Sequence, residues 1–220
     1  MGKRIVVITG GECTTERSDL TAVMPYDLVI AADSGLDRSL ALGVQPDVLV
    51  GDLDSASRQA LDIARHGLSE IEAHAPAKDQ TDLELALRRA VGEGATEIVV
   101  FGGGGGRADH WLANLAVMAA TARRGVSVRG QMGGCSVRAV VPGDPYVEEL
   151  RQGELVSLLP MGGDARGVVT EGLAYRLEGD DLKWGGSRGV SNVACGGEAR
   201  VQIDGGVLLV ICPGGDEAWL

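Results

Sequence analysis

The sequence predicts an α/β protein: an N-terminal parallel-sheet, three-layer α/β domain followed by a smaller all-β, sandwich-like domain. Two observations carry this. Up to about residue 130, short apolar runs rich in Val and Ile alternate with helical patterns, as expected of strands buried on both faces of a parallel sheet. Beyond Gly130 the helical periodicity stops, and short β-branched segments alternate with Gly, Pro and Asp turns, which is the pattern of an all-β unit. The boundary falls in Gln131–Cys135, giving residues 1–132 and 133–220.

In the first domain, Ile5–Ile8, Leu28–Ala31, Val48–Val50, Ile98–Phe101 and Val126–Arg129 read as strands, and Leu36–Leu42, Ala56–His66, Asp82–Glu93 and Ala108–Arg124 as helices. Thr81 with Glu84 three residues on forms a capping pair for the third helix. Arg123-Arg124 before Gly125 suits the last turn of the fourth. In the second domain the strand candidates are Val137–Val141, Leu155–Leu159, Val168–Thr170, Ala199–Ile203 and Val207–Cys212.

Composition narrows the function. Glycine supplies 34 of 220 residues, with no Gly-x-y period, and 45% of the chain is hydrophobic, which excludes collagen and a disordered acidic tail. The longest apolar stretches, such as Leu112–Ala122, are short of the roughly 20 residues a bilayer span needs. A net charge of −11 argues against nucleic acid and anionic membranes as partners. It leaves room for a phosphorylated small molecule if a divalent cation lies between carboxylates and phosphates. Cys13, Cys135, Cys195 and Cys212 form no Cys-x-x-Cys pair and no zinc-like spacing with histidine, so they read as reduced structural thiols. The N-terminus reads as a first buried strand, which suggests a cytoplasmic protein.

The acids mark a site. Asp33 follows the second strand, Asp52 and Asp54 follow the third, Asp79 and Asp82 open a helix, and Asp109 opens another after a glycine run. Ligands of open parallel sheets sit at the carboxyl ends of the strands, so these carboxylates converge on one edge. Such a cluster opposes its own ionisation, and Mg²⁺ would relieve it. In Gly51-Asp52-Leu53-Asp54-Ser55, alternation turns both acids to the ligand and Leu53 to the core, although a turn and helix cap would have the same composition. Gly102–Gly106, leading from a strand into a helix, offers backbone N–H groups to an anion, with Arg107 as a phosphate clamp. A tight turn would serve equally well for the glycines alone. His110 and Asn114 share one helix face, with His110 in a positioning role. Trp184 offers a flat wall for a cationic or pyrimidine ring. Trp111, in one stripe with Leu115 and Met118, belongs to a core or an interface.

Ala32-Asp33-Ser34-Gly35, Pro46-Asp47, Gly51-Asp52-Leu53-Asp54-Ser55, Asp79-Gln80-Thr81-Asp82, Gly106-Arg107-Ala108-Asp109-His110 with Asn114, and Ser187-Arg188-Gly189-Val190-Ser191-Asn192 occur in that order. Together they resemble the thiamine pyrophosphokinase family. The resemblance implies a homodimer with a shared active site, in which the thiamine hydroxyl attacks the β-phosphorus of ATP and AMP departs. It implies Asp52, Asp54 and Asp82 as ligands of Mg²⁺. Asp33, Ser55, Asp79, Gln80, Thr81, Arg107, Asp109, His110 and Asn114 fall to the ATP side, and Ser187, Ser191, Asn192 and Trp184 to the thiamine side. Asp79 or Asp109 would take the proton. Gln80 stands where Lys is frequent in the family, and Val193 where an acid is usual. Two rival readings remain at the level of sequence: a pyrophosphokinase for another hydroxymethyl heterocycle such as a pterin, and a nucleotide-sensing module without turnover.

Overall fold

The structure is a computed structural model that describes residues 2–11 and 16–214; Cys13 and Trp219 lie outside this range. Two compact units emerge. The first comprises residues up to 117 together with 130–133, and the second comprises 118–129 and the chain from 134 onward.

The elements of the first half run β1 (Lys3–Thr9), α1 (Arg17–Ala22), β2 (Leu28–Ala32), α2 (Gly35–Ala41), β3 (Val48–Gly51), α3 (Arg58–His66), β4 (Glu70–Ala73), α4 (Asp82–Gly92), β5 (Ala95–Phe101), α5 (Ala108–Ala122) and β6 (Ser127–Met132). Five strands of the first unit pair in the order β5-β1-β2-β3-β4, all parallel. The strand order reverses between β1 and β5, which defines a topological switch point.

Both faces of this sheet are covered. Val6, Ile8, Val29, Val99 and Phe101 pack with Leu20 and Val23, while Ala31 and Leu49 pack with Leu36, Ala60 and Ala64 of α2 and α3. Helix α4 lies against β1, β2, β3 and β5. The uninterrupted apolar runs of the sequence reflect this double burial. Helix α3 begins two residues later than its apolar pattern suggests, because Ser57 caps it by accepting from the Ala60 amide at 3.2 Å. Thr81 caps α4 in the same way, accepting from the Glu84 amide at 3.2 Å. Helix α5 stops at Ala122: the Arg123 amide still donates to the Ala119 carbonyl at 3.2 Å, Gly125 follows with φ +82°, and the Arg123 side chain donates to the Met161 and Gly162 carbonyls at 3.2 and 2.9 Å.

The second unit adds β7 (Cys135–Val140), β8 (Tyr146–Leu150), β9 (Leu155–Pro160), β10 (Ala165–Glu171), β11 (Glu178–Leu182), β12 (Asn192–Val193), β13 (Gly197–Gln202) and β14 (Leu208–Pro213). Here β12-β9-β14-β7 and β11-β10-β13-β8 are two antiparallel arrays. Val140, Val156, Leu158, Leu208 and Val210 from one meet Tyr146, Ala165, Val168, Leu182, Ala199 and Val201 from the other in a single core, as in a sandwich. Among the described cysteines, all free, Cys135 is buried and Cys212 half-buried, whereas Cys195 is exposed and packs no core. No described helix is long and apolar enough to cross a membrane.

Candidate active site

Strands β1, β2, β3 and β5 deliver their carboxyl ends to one edge of the parallel sheet. A cavity of about 810 Å³ opens there, and Asp33, Asp52, Asp54, Lys78, Asp82 and Arg107 are among the residues lining it. It belongs wholly to the first unit.

Asp33 leaves β2 with a left-handed backbone, φ +47°, and its amide donates to the Val50 carbonyl at 2.9 Å. The residue is 9% exposed, and its Oδ1 is buried with no hydrogen-bond partner among the described residues. Burial raises its carboxyl pKa above the ordinary value; a hydrogen bond from the Ser34 amide opposes this, and the charge of Asp82 adds to it. Asp33, Asp52 and Asp54 bring carboxylate oxygens within 4.8 Å of one another. An orphaned buried oxygen beside two further carboxylates fits a hard divalent cation, which prefers oxygen ligands and removes their mutual repulsion. Leu53, between the two acids, has φ +65° and packs on the Leu36–Leu49 cluster, so the turn aims its neighbours away from the core. A left-handed leucine costs about 1–2 kcal/mol. Strain of this kind concentrates at functional sites.

Asp82, expected beside Asp52 and Asp54, is held by a residue that sequence reasoning missed. Lys78 Nζ donates to Asp82 Oδ1 at 2.7 Å and to Asp52 Oδ2 at 3.0 Å, with only 12% of its side chain exposed. Burial disfavours the ammonium, yet the bonds to Asp82 and Asp52 prevail and raise its pKa, while Lys78 in turn lowers that of Asp52. The available signal was a lysine four residues before Asp82 in a chain with only three lysines. Gly51, φ +143°, brings these groups together: a Cβ there would lie 3.0 Å from Asp82 Oδ1 and 3.3 Å from Asp33 Cβ. Asp79, Gln80, Thr81 and Ser55 also line the cavity, and Ser55 Oγ donates to Asp54 Oδ1 at 2.8 Å.

The glycine run is more tightly packed than an open anion cradle. The Gly102 and Gly103 amides donate to the Gln131 and Gly10 carbonyls at 3.0 and 2.6 Å, so neither is left for a ligand. Asn114, 7% exposed, donates to the Gly103 carbonyl at 2.8 Å and fastens the loop to α5. Arg107 and His110 stand beyond it, exposed and on the cavity wall. Arg107 pairs in two-point fashion with Asp109, Nε to Oδ1 at 3.2 Å and Nη2 to Oδ2 at 2.7 Å.

The residues expected on the acceptor side lie in the second unit. Trp184 is 56% exposed and Ser187 is exposed. Ser191 is exposed with φ +58°, and its amide donates to Ser157 Oγ at 3.1 Å. Asn192 is buried: its Oδ1 accepts from the Tyr175 and Val193 amides, both at 2.9 Å, and its Nδ2 donates to the Tyr175 carbonyl at 2.7 Å.

A parallel α/β unit whose carboxylate cluster, at the carboxyl ends of β2 and β3, fits a divalent cation, together with a separate β-sandwich unit, is the build of a phosphate-handling class of protein. Residues 22–129 match the family described as thiamin pyrophosphokinase, catalytic domain, and residues 146–208 match thiamin pyrophosphokinase, vitamin B1 binding domain. The chain belongs to the thiamine pyrophosphokinase family. It is 27% identical over 210 residues to the thiamine pyrophosphokinase of Bacillus subtilis, covering 95% of this chain and 98% of the relative. The solved structure of the Bacillus subtilis thiamine pyrophosphokinase superposes with a TM-score of 0.83 at 25% identity, covering 97% of this chain and all of that one. A thiamin pyrophosphokinase family protein from Enterococcus faecalis shares the fold, with a TM-score of 0.77, 24% identity, and coverage of 97% and 100%.

Proposed function

We propose that this chain transfers the pyrophosphoryl group of ATP to the hydroxyl of thiamine, releasing AMP. The observation that carries the reading is the convergence of Asp33, Asp52 and Asp54 within 4.8 Å at the carboxyl ends of β2 and β3, with Asp33 Oδ1 buried and unpaired among the described residues, in a chain of this family. Mg²⁺ held by Asp52 and Asp54, with Asp33 or Asp82 completing the set, would supply charge neutralisation for the phosphates. The protein's own contribution is placement. Asn114 and the packed glycines fix the start of α5, and Asp109 holds the Arg107 fork at the cavity wall, where a planar guanidinium binds phosphate oxygens in two-point fashion. Holding the alcohol in line with the β-phosphorus removes much of the orientational barrier. Asp109 is a poor proton acceptor, because Arg107 keeps its pKa down at about 2; Asp79 is the better candidate.

The acceptor side is assigned to Trp184, Ser187 and Ser191, with Asn192 shaping the loop that carries Ser191. These residues serve the nucleotide site of a second copy of the chain in a homodimer. Mixing Arg107→Ala with Trp184→Ala chains should restore part of the activity in verified mixed dimers, and no recovery would reject the shared site. The reaction itself is tested by incubating the protein with thiamine, ATP and Mg²⁺ and following AMP and thiamine diphosphate. Release of AMP with a hydroxymethylpterin but not with thiamine would overturn the acceptor, and ATP binding without turnover on either would overturn the enzyme.

A further inference from the structure

Lys78 is the one lysine on the cavity wall and the only cation in direct contact with its carboxylates among the described residues. Its ammonium carries three N–H donors, two of which are taken by Asp52 Oδ2 and Asp82 Oδ1 at 3.0 and 2.7 Å. With 12% of its side chain exposed, it is packed in place. It stands four residues ahead of Asp82, where α4 begins under the Thr81 cap, and its own amide donates to the Pro76 carbonyl at 3.1 Å.

This geometry does two things. Before substrates bind, the ammonium offsets part of the repulsion among Asp33, Asp52, Asp54 and Asp82, the role a cation would otherwise play. Once a divalent cation shares that charge, the hold of the carboxylates on Lys78 weakens, and its remaining donor faces a cavity built to take phosphate. We infer that Lys78 is a further phosphate-binding residue: it keeps Asp52 and Asp82 in place in the empty site and bonds a phosphate oxygen of bound ATP. The inference rests on the ATP-dependent reading above. A purely structural ion pair would hold the carboxylates and never touch the nucleotide.

The two roles give opposite signs in Lys78→Met. Without a competing ammonium, Mn²⁺ alone should bind the nucleotide-free protein at least about 3-fold more tightly, as expected when a like charge leaves an anionic site. Binding of α,β-methylene-ATP at saturating Mn²⁺ should weaken by at least about 10-fold, the scale of a lost charge-assisted hydrogen bond, and Lys78→Arg should restore part of it. Calorimetry reads both affinities. Nucleotide affinity within about 2-fold of wild type, or metal and nucleotide affinities falling together, would overturn the inference.

A second measurement avoids any folding defect. With only Lys3, Lys78 and Lys183 in the chain, lysine-labelled wild-type protein gives three side-chain NMR signals. The Lys78 Cε signal should shift when α,β-methylene-ATP and Mg²⁺ are added, while Lys3 and Lys183 stay in place. A stationary Lys78 signal under calorimetrically verified binding rejects the role. Turnover of the wild-type protein with thiamine is measured in parallel. Its absence beside intact nucleotide binding would reject the acceptor chemistry, whereas the Lys78 inference stands or falls on the binding data alone.

Discussion

Arg107 and Asp109 form a closed fork at the mouth of the cavity, two residues apart across the start of α5, with bonds of 3.2 and 2.7 Å. The Arg107 bond is the largest influence on the Asp109 carboxyl, whose pKa falls from an ordinary 3.8 to about 2 despite some desolvation. A depressed folded pKa means that the pair is fully formed above the ordinary carboxylate value and is lost only as pH falls toward about 2. Between pH 5 and 9 the fork therefore stays charged. Asp109→Asn should raise the KM for ATP about 10-fold by releasing the guanidinium, while the acid limb of kcat/KM keeps its wild-type midpoint. A displaced acid limb in the variant would make Asp109 a titrating group of the reaction and contradict its role as the partner of Arg107.

Asp54 is the exposed member of the three-carboxylate group, and its Oδ1 accepts from Ser55 Oγ at 2.8 Å. Asp54→Asn keeps the shape and removes one charge from the site. Turnover should drop by at least about 100-fold, the scale of losing one electrostatic partner of a transition state. Near-normal AMP production by the purified variant at saturating Mg²⁺ would remove Asp54 from the metal set.

How far such a site can be read from sequence depends on what fixes each part. Ile5–Ile8 and Ile98–Phe101 are legible because a strand buried on both faces must be apolar throughout. Strand β4, Glu-Ile-Glu-Ala, and β11, Glu-Gly-Asp-Asp-Leu, are not, because pairing with β3 and with β10 forms them against their composition. Helix α1 spans six residues, too few for an amphipathic repeat. The acids at strand ends are legible from topology alone. Lys78 is not, since its role depends on Asp52 lying beside Asp82 in space, and those two residues come from different elements. The glycine run shows the same limit: its sequence suits an anion cradle, but β1 and the Gln131–Gly133 segment already occupy part of it.

Gly104 and Gly106 make that last point measurable. A Cβ on Gly104 would land on the Gly133 amide nitrogen, a backbone group that cannot swing aside, whereas one on Gly106 meets no atom within 4 Å and carries only the strain of φ +60°. Gly104→Ala should lose about 3 kcal/mol by overpacking, and Gly106→Ala about 1 kcal/mol for a left-handed alanine. Urea unfolding with matched m-values separates the two. Equal losses would mean that the loop stands free of Gly133 in solution and that its glycines serve conformation alone.

Ser191 and Asn192 are neighbours in one motif with divided roles, and two variants separate them. Asn192 is 2% exposed and satisfies both backbone groups of Tyr175 as well as the Val193 amide. Truncation leaves three polar groups to find other partners, so Asn192→Ala should lose about 2–4 kcal/mol of stability. Its activity should fall in step with the folded fraction, because the side chain is already fully engaged within its own loop. Ser191 is exposed and holds its φ of +58° through the hydrogen bond that its backbone N–H donates to Ser157 Oγ. Ser191→Ala keeps that backbone and its bond, so stability should stay within about 0.5 kcal/mol of wild type, as for other surface substitutions. If the hydroxyl meets the acceptor, the KM for thiamine rises several-fold while the KM for ATP stays put. An unchanged thiamine KM in Ser191→Ala, or a raised one in Asn192→Ala at full folding, would reverse the division: Asn192 would then leave its present bonds to reach the acceptor.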